Sequence, residues 1–522
     1  MRLHDYLDKG ASLGADRPCL TTDGTSTSYA EVVRLSHEVA AAIVGSVTGQ
    51  GGVVEGARVA ILSANDPVAF TCVFGISRAG AVWCPINPRN EAAENQELLE
   101  LFGAEVVLYQ SGFATLVAAV RDRLPQVHTW VCLDADDDGS LSWPAFLDRG
   151  AAVEVPDLPG RPGAHELSML VGTGGTTGRP KGVMLTPANL ETMTALTLMG
   201  YPFDGPSVYL ALAPLTHAAG VLCFPVLSLG GEVVIMRAPD VGGFLRLVQE
   251  HRVTHTFLPP TLVYMVLGSP DLDATDLSSL QCFWYGAAPM SASRLEEALT
   301  RIGPVMAQLF GQTEAPMMIS MMPPADHFRA DGSVATERLT SAGRPAPLVH
   351  VAILDADDRP VAPGERGEIC ARSSLVMAGY WRNPTETAST LRNGWLHTGD
   401  IGFLDEEGFL HIVDRAKDMI ITGGFNVYST EVEQAVLAHE AVRDCAVIGL
   451  PDDTWGERVV VVVQPHPGAS VDPAELTAFV KRRLGSVKAP KEVHVWPDLP
   501  RSKVGKVLKT DIKAELTNPT AT

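Results

Sequence analysis

The sequence predicts an α/β protein with a large N-terminal domain of helix-covered sheets and a small α+β domain at the C-terminus. In the first half of the chain, short apolar runs alternate with helical patterns, as expected of βαβ units that form parallel sheets covered by helices. The last ~110 residues carry their own strands and helix and fall within the usual size of a domain. The full length of 522 residues leaves room for several such units.

The N-terminal half predicts strands and helices in alternation. Residues 58–62, 82–86 and 105–109 are predicted strands, and residues 67–78 and 93–102 are predicted helices. The same alternation resumes with strands at 207–212, 232–236, 254–258 and 282–285.

The predicted secondary structure changes in character between residues 341 and 412. Short alternating strands at 350–354, 367–371 and 408–413 are separated by turn sequences, which predicts an antiparallel sheet or a small β-barrel-like subdomain.

The C-terminal unit is predicted to contain strands at 444–450 and 459–464 and a helix over 472–484. Asp472-Pro473 is a good cap and first-turn pair for that helix. Five consecutive valines, 459–463, predict a strand buried on both faces. We therefore place one domain at residues 1–414 and the second at 415–522.

The net charge excludes two classes of partner. Lys and Arg number 40 against 61 Asp and Glu, a formal charge of −21, so the chain has no bulk attraction for nucleic acid or anionic lipid. Any anionic ligand must be held by a few local donors.

Two further patterns indicate a cytoplasmic protein. The N-terminus has no basic stretch followed by an apolar run, and Pro225, Gly230, Gly231 and Glu232 interrupt the most apolar segment, so we expect neither a signal peptide nor integral membrane association. The eight cysteines are scattered without a CxxC pair, which argues against a disulfide framework and a zinc site.

The strongest local signal is a loop of small and polar residues ending in a lysine, which reads Val171-Gly172-Thr173-Gly174-Gly175-Thr176-Thr177-Gly178-Arg179-Pro180-Lys181-Gly182. Such a loop can bring N–H groups, hydroxyls and one ammonium close to phosphates. It is not a Walker A loop, because Pro180 precedes Lys181 and Gly182 follows it. Alone, it would also fit a flexible surface linker.

Six further motifs follow in order. They are Tyr285-Gly286-Ala287-Ala288-Pro289, Phe310-Gly311-Gln312-Thr313-Glu314, Trp395-Leu396-His397-Thr398-Gly399-Asp400, Asp414-Arg415-Ala416-Lys417-Asp418, Gly423-Gly424-Phe425-Asn426 and Ser502-Lys503-Val504-Gly505-Lys506. In this order and spacing the set resembles the adenylate-forming superfamily of acyl-CoA synthetases, adenylation domains and luciferases. The resemblance covers nearly the whole chain.

The resemblance implies an ATP site. Thr173, Gly174, Gly175, Thr176, Thr177, Gly178 and Lys181 would cradle the pyrophosphate. Glu314 would bind Mg²⁺ with Thr176, since a hard cation prefers oxygen ligands. Thr313 would touch the α-phosphate.

It also implies where the nucleoside binds. Gly286, Ala287, Ala288 and Pro289 would form one wall of the adenine slot, and Phe310, Gly311 and Gln312 the other, with Ile412 at an edge. Asp400 would accept hydrogen bonds from the ribose hydroxyls, and Arg415 would join it at the ribose or the phosphates.

Two lysines would serve the catalytic cycle. Lys506 would bridge the carboxylate and the α-phosphate, because a cation between two anionic reactants aligns them and offsets their repulsion. Lys417 would be the hinge about which a mobile C-terminal domain rotates between half-reactions. Where relatives commonly have proline this chain has Ser429, and we expect Ser429 or Thr430 to cap the following helix.

The acid and its acceptor are predicted from the pocket residues. The run Pro214–Gly220 contains no acid to pair with an α-ammonium, and His217 resembles the acyl- and aryl-CoA synthetase pattern. With His217, Gly286 and Gly311, the residues Ala315, Pro316 and Met317 would line an apolar acyl pocket. Gly423, Gly424, Phe425 and Lys488 resemble the segments beside a coenzyme A channel.

The resemblance thus implies an acid–CoA ligase using ATP, Mg²⁺ and coenzyme A through an acyl-adenylate. Two alternatives stay open within the superfamily, namely transfer to a freestanding acyl carrier protein and a reaction that stops at the adenylate. A third is an idle ATP-binding regulatory protein, against which intact Lys181, Glu314, Asp400, Arg415 and Lys506 argue.

Overall fold

The computed structural model describes residues 1–49, 51–155, 158, 160–163, 165–173, 180–216, 218–415, 418–423, 425–452, 454–501 and 507–517. Within these residues no helix is both long and apolar enough to cross a bilayer.

The helices, in chain order, are α1 (Leu3–Leu13), α2 (Tyr29–Thr48), α3 (Pro67–Arg78), α4 (Ala92–Phe102), α5 (Ala114–Arg121), α6 (Trp143–Asp148), α7 (Pro187–Gly200), α8 (Ala218–Val221), α9 (Cys223–Ser228), α10 (Val241–Glu250), α11 (Pro260–Leu267), α12 (Ala292–Arg301), α13 (Pro384–Thr390), α14 (Ser429–Leu437), α15 (Pro473–Leu484) and α16 (Lys509–Thr517).

The strands are β1 (Pro18–Thr22), β2 (Thr25–Ser28), β3 (Arg58–Leu62), β4 (Val82–Ile86), β5 (Val106–Tyr109), β6 (Thr129–Cys132), β7 (Leu141–Ser142), β8 (Met169–Thr173), β9 (Lys181–Leu185), β10 (Val208–Ala211), β11 (Glu232–Ile235), β12 (His255–Leu258), β13 (Cys282–Gly286), β14 (Met306–Gln312), β15 (Ala315–Met322), β16 (Arg344–Pro345), β17 (His350–Leu354), β18 (Gly367–Arg372), β19 (Gly379–Tyr380), β20 (Leu391–Arg392), β21 (Trp395–Leu404), β22 (Leu410–Arg415), β23 (Ile420–Thr422), β24 (Phe425–Val427), β25 (Val442–Asp452), β26 (Gly456–Pro465) and β27 (Glu492–Val495).

Two large sheets confirm the α/β prediction. One has the order β16-β15-β14-β13-β12-β10-β11-β1-β2, and the other has the order β19-β9-β8-β4-β3-β5-β6-β7. Their central neighbours, such as β12 and β13 or β3 and β4, pair in parallel. Antiparallel hairpins lie toward one edge of each sheet, namely β14–β15 and β8–β9. These two hairpins carry the glycine- and threonine-rich loop and the Gln312–Glu314 turn.

Helix α3 shows how the sequence determines a boundary. The Asp66 side chain accepts hydrogen bonds from the backbone nitrogens of Val68 and Ala69, at 2.9 and 3.0 Å. Pro67 occupies the first helical position, where its missing N–H costs nothing. The predicted bounds of this helix, 67–78, are confirmed, and α4 begins one residue earlier than predicted.

A third sheet is antiparallel, with the order β17-β18-β21-β20 and β22 paired to β21. It confirms the antiparallel sheet predicted after residue 341. The predicted start of its last strand at residue 408 is wrong. Gly408 has φ +79°, the left-handed conformation of a turn residue, and β22 begins at Leu410.

The C-terminal sheet has the order β24-β23-β26-β25, with β27 paired to β26. The five valines of β26, residues 459–463, are all 0% exposed. Alternate valines belong to different hydrophobic clusters, Val459, Val461 and Val463 to one and Val460 and Val462 to the other. The prediction of a strand covered on both faces is therefore confirmed, while the domain boundary at 414 stays a prediction.

The expected side-chain cap of α14 is wrong. The helix begins at Ser429, and Tyr428 at the cap position makes no side-chain cap hydrogen bond. The Ser429 backbone N–H and hydroxyl both donate to the carboxylate of Asp414 on β22, the hydroxyl at 3.0 Å. The nearby Asp414 carboxylate therefore engages the groups that capping would have used.

Candidate active site

Strands β8 and β9 hold the ends of the predicted phosphate loop. Thr173 and Lys181 face each other in antiparallel register, so the loop leaves the sheet at one of them and returns at the other. The residues between them that were predicted to bind phosphate, Gly174, Gly175, Thr176, Thr177 and Gly178, lie outside the described part of the chain.

Lys181 is held from two sides. Its ammonium forms an ion pair with Glu386 on α13, and the two side chains are 14% and 35% exposed. The same nitrogen lies 5.0 Å from the centroid of the Tyr380 ring. A cation over an aromatic face is attracted by the ring quadrupole. These two contacts hold the Lys181 ammonium in a defined position.

The Tyr380 hydroxyl donates to Glu314 Oε1 at 2.8 Å. Burial, reinforced by the negative charge of Glu314, raises the pKa of Tyr380, so the phenol stays a protonated donor at physiological pH. Among the described residues Oε2 of Glu314 has no hydrogen-bond partner. Thr313 and Glu314 form the turn between β14 and β15, because Gln312 pairs with Ala315.

A second cluster forms where β21 and β22 lie side by side. Asp400 and Arg415 are cross-strand partners, and Arg415 Nε lies 2.7 Å from Asp400 Oδ1. Gln312 Nε2 donates to Asp400 Oδ2 at 2.7 Å and to the carbonyl oxygen of Thr398 at 2.8 Å. The Asp400 side chain is only 5% exposed, so its carboxylate is fixed in place. Ile412 lies on the same strand as Arg415.

The predicted adenine and acyl walls lie on neighbouring strands. A Cβ on Gly286 would meet the Leu309 carbonyl oxygen at 2.4 Å, and one on Gly311 would meet Met317 N at 2.5 Å, so both positions require glycine. Ala287 and Met317 have φ of +66° and +63°, a conformation that costs a non-glycine residue on the order of 1–3 kcal/mol.

The remaining wall residues differ in exposure. Ala287 and Pro289 are exposed, Ala288, Phe310 and Met317 are half-buried, and Pro316 is buried. Ala315 is fully buried in the main hydrophobic core. Of the predicted Ala315–Met317 wall, Met317 is therefore the residue with side-chain surface to offer.

The predicted coenzyme A residues lie in two places. Gly423 has φ +57° and donates its N–H to the Trp455 carbonyl oxygen at 2.8 Å, and the neighbouring Phe425 side chain is 60% exposed. Lys488, after α15, forms an ion pair with Glu431 on α14 at 2.5 Å. Their role in a channel stays a prediction.

Four other predicted residues, His217, Lys417, Gly424 and Lys506, lie outside the described residues. The described residues before and after Lys506 make contacts of their own. Arg501 and Val507 form a β-bridge, and Lys509 Nζ lies 2.7 Å from Glu433 Oε1.

Sequence reasoning missed three residues that hold the site together, Tyr380, Glu386 and Glu368. Oε1 of Glu368 accepts the N–H of Gly399, beside Asp400, at 2.9 Å, and Oε2 lies 2.8 Å from His397 Nδ1. Tyr380 and Glu386 flank the run Trp381-Arg382-Asn383-Pro384, an aromatic and basic stretch before a proline that could have drawn notice.

Two family models match the chain, one over its large N-terminal part and one over its C-terminal part. Residues 7–381 match the AMP-binding enzyme family, and residues 431–506 match the C-terminal domain of AMP-binding enzymes.

Individual relatives match over most of their length. A feruloyl-CoA synthase of an Amycolatopsis species is 38% identical over 94% of this chain and 94% of its own. A medium/long-chain-fatty-acid–CoA ligase of Mycobacterium tuberculosis is 37% identical over 89% of this chain and 82% of its own. The solved structure of an amide bond synthetase from Marinactinospora thermotolerans superposes with a TM-score of 0.87 at 30% identity, over 98% of this chain and 99% of that one.

Proposed function

The chain belongs to the family of AMP-binding enzymes, in the adenylate-forming superfamily. From that premise we propose which residues bind each substrate and which take part in catalysis. It is an ATP-dependent acid–CoA ligase. A carboxylic acid reacts with ATP to give an acyl-adenylate and pyrophosphate, and the acyl group then passes to coenzyme A with release of AMP.

One observation supports the assignment of roles above all others. The turn Gln312-Thr313-Glu314 touches both polar clusters, since Gln312 donates to Asp400 and Glu314 accepts from Tyr380, whose ring lies beside Lys181. A nucleotide lying along this turn would have its ribose at Asp400 and its phosphates toward Lys181. Thr313, between them, would be at the α-phosphate.

In the first half-reaction a carboxylate oxygen of the substrate attacks the α-phosphorus, and the bond to the pyrophosphate oxygen breaks. Asp400 accepts hydrogen bonds from the ribose hydroxyls, Lys181 holds the terminal phosphates, and Lys506 bridges the attacking carboxylate and the α-phosphate. The side chains of Asp400 and Lys181 are 5% and 14% exposed, and charges held in such a site stabilise developing charge more strongly than in water.

Glu314 fits a role in binding Mg²⁺. Its Oε1 is fixed by the Tyr380 phenol at 2.8 Å, and a carboxylate oxygen is the ligand type that Mg²⁺ prefers. When bound with ATP, Mg²⁺ would neutralise charge on the phosphates. Thr176, the second predicted ligand, lies outside the described residues.

In the second half-reaction the thiol sulfur of coenzyme A attacks the carbonyl carbon, and AMP leaves with the bridging oxygen. We assign the lid to residues 415–522 and its hinge to Lys417. Gly423, Gly424, Phe425 and Lys488 would line the entry of the thiol, and the reaction would take place in the cytoplasm.

The acid is proposed to be apolar, with an acyl or aryl group beside His217, Gly286, Gly311 and Met317. Two of the relatives quoted above are named for fatty acids and for a feruloyl group. The alternative in which a carrier protein accepts the acyl group has no support among the named relatives.

A panel experiment tests this function. The enzyme is incubated with ATP, Mg²⁺ and coenzyme A plus one acid at a time, covering short to long fatty acids, cinnamic acids and arylacetic acids, and thioesters are detected by mass. We expect thioester formation with at least one apolar acid, and at least ~10²-fold slower formation with the Lys506→Ala variant. Amide formation with an added amine in preference to thioester would instead favour an activity like that named for the amide bond synthetase.

A further inference from the structure

A cavity of about 260 Å³ lies beside Lys181, on the side of the segment that carries Tyr380 and Glu386. It is lined by Leu101, Pro180, Lys181, Gly182, Tyr380, Trp381, Arg382, Asn383 and Glu386. Two of these residues are cations, so the cavity is suited to an anion. One of the two cations, Lys181, already has an anionic partner.

The carboxylate that pairs with Lys181 is itself held in place. Asn383 Oδ1 accepts the backbone N–H of Glu386 at 3.1 Å, which fixes the first turn of α13. The backbone N–H of Tyr380 donates to Thr387 Oγ1 at 2.9 Å, which fastens the strand to the same helix. Glu386 therefore reaches Lys181 from a fixed position.

Arg382 is placed differently. It is exposed, its guanidinium lies 5.4 Å from the Trp381 ring, and it has no anionic partner among the described residues. Its φ of +53° is unusual for a residue with a side chain. Among the lining residues that the structure describes, one cation, Arg382, has no anionic partner and the other, Lys181, is engaged by a carboxylate.

We propose that Glu386 competes with the terminal phosphates of ATP for the ammonium of Lys181, and so sets the affinity for ATP and the ease of pyrophosphate release. The proposal rests on the role given to Lys181 in the proposed function. One ammonium satisfies one anion well, and two anions drawn to it repel each other. Phosphates that reach Lys181 must displace Glu386, and Glu386 takes the ammonium back when pyrophosphate leaves.

The competition has a direct consequence for catalysis. A pocket that held pyrophosphate with both cations free would retain the product and favour the reverse reaction. With Glu386 present, part of the interaction energy that phosphate gains at Lys181 is offset by the ion pair it breaks. Glu386 is a positioning residue in this scheme, since it acts through Lys181 and does not touch the reacting atoms.

The test measures ligand binding by calorimetry in the wild-type protein and in Glu386→Gln, with no carboxylic acid present. The amide keeps the size of the side chain and removes its charge. We expect Mg·ATP and Mg·pyrophosphate to bind roughly two- to fivefold more tightly to the variant, the range for a partly exposed ion pair. AMP lacks the terminal phosphates, so its dissociation constant should stay within about twofold.

A charge-matched control distinguishes the loss of the Glu386–Lys181 ion pair from the loss of one negative charge anywhere on the protein. Glu337→Gln also removes one negative charge, from an exposed pair with Arg329, and should leave all three affinities unchanged. Weaker or unchanged binding of ATP and pyrophosphate by Glu386→Gln would overturn the proposal. So would an equal change for AMP, which would indicate a structural disturbance.

Failure of the proposed function would look different. A wild-type protein that releases no pyrophosphate with ATP and any acid of the panel is not the proposed ligase. An active wild type whose Glu386→Gln variant binds ATP and pyrophosphate no more tightly would refute the competition alone.

Discussion

The substitution Asp400→Asn tests the assignment of the ribose site. The Asp400 carboxylate is 5% exposed and already accepts from Gln312 at 2.7 Å and lies 2.7 Å from Arg415 Nε. Asparagine has nearly the same shape, but it replaces one acceptor oxygen by an NH₂ donor and removes the charge. One oxygen can therefore no longer serve a ribose hydroxyl.

The size of the effect follows from the kind of bond that is lost. A hydrogen bond to a charged acceptor contributes about 1.5–3 kcal/mol. At about 1.4 kcal/mol for each factor of ten, the dissociation constant of AMP should rise roughly ten- to 150-fold.

The assay is a thermodynamic cycle with the protein and the ligand changed in turn. AMP and 2′,3′-dideoxy-AMP are titrated into the wild-type protein and into Asp400→Asn. Since the dideoxy ligand lacks the hydroxyls, its affinity should fall by no more than about threefold in the variant. Asp405→Asn, in the turn of the same β-hairpin, is the matched control and should bind both ligands as the wild type does.

A loss as large for the dideoxy ligand as for AMP would refute the reasoning. The carboxylate would then act on the nucleotide through Arg415 or through the local structure, and not through the ribose hydroxyls.

The remaining predictions concern the role proposed for Lys506, the acid and the stability of the fold. Lys506→Ala should lower adenylation at least ~10²-fold, yet thioester formation from supplied acyl-AMP should survive; an equal loss in both steps would contradict the domain rotation. An α-amino acid should be activated at least ~10²-fold less well than its des-amino analogue, because an unpaired buried ammonium costs several kcal/mol; comparable pyrophosphate release from phenylalanine and 3-phenylpropanoic acid would reverse that choice. Burial lowers the pKa of His255 and of His327 from 6.5 to about 4. Unfolding therefore takes up protons, and the unfolding free energy should fall as pH drops from about 6.5 toward 4, by roughly 2 kcal/mol per histidine at about pH 5. Urea denaturation of His327→Asn should show a shallower pH dependence than the wild type, and identical slopes would refute this contribution.

Element bounds and burial could be predicted from the sequence where a single local pattern determines them. Strands such as Arg58–Leu62 and helices such as α3 combine apolar runs with strong boundary residues, and their bounds are as predicted. The five valines of β26 indicate burial on two faces without any knowledge of their neighbours. The motif residues Gln312, Asp400 and Arg415, far apart in the chain, meet in one cluster.

The contacts around Lys181 and Glu314 could not be predicted in the same way. Lys181 and Glu386 are 205 residues apart, and Tyr380 and Glu314 are 66 apart. Glu386 stands in a polar helix whose pattern is that of any exposed surface, so its partner depends on how β19 joins β9. Such pairs are determined by the packing of distant segments.

Ser429 shows a similar limit at the level of one residue. Serine before a helical pattern favours a cap, and the local sequence supports that interpretation. The carboxylate of Asp414, 15 residues earlier, binds its hydroxyl and backbone N–H instead. Tertiary contact outweighs the local preference there.

The central claim is that a carboxylate oxygen of the substrate attacks the α-phosphorus of ATP, and an isotope measurement tests it directly. An acid that the enzyme accepts is labelled with ¹⁸O in both carboxylate oxygens and incubated with ATP and coenzyme A. If the carboxylate attacks the α-phosphorus, AMP carries one ¹⁸O atom and pyrophosphate carries none. Label in pyrophosphate or orthophosphate, or formation of ADP in place of AMP, would contradict an acyl-adenylate.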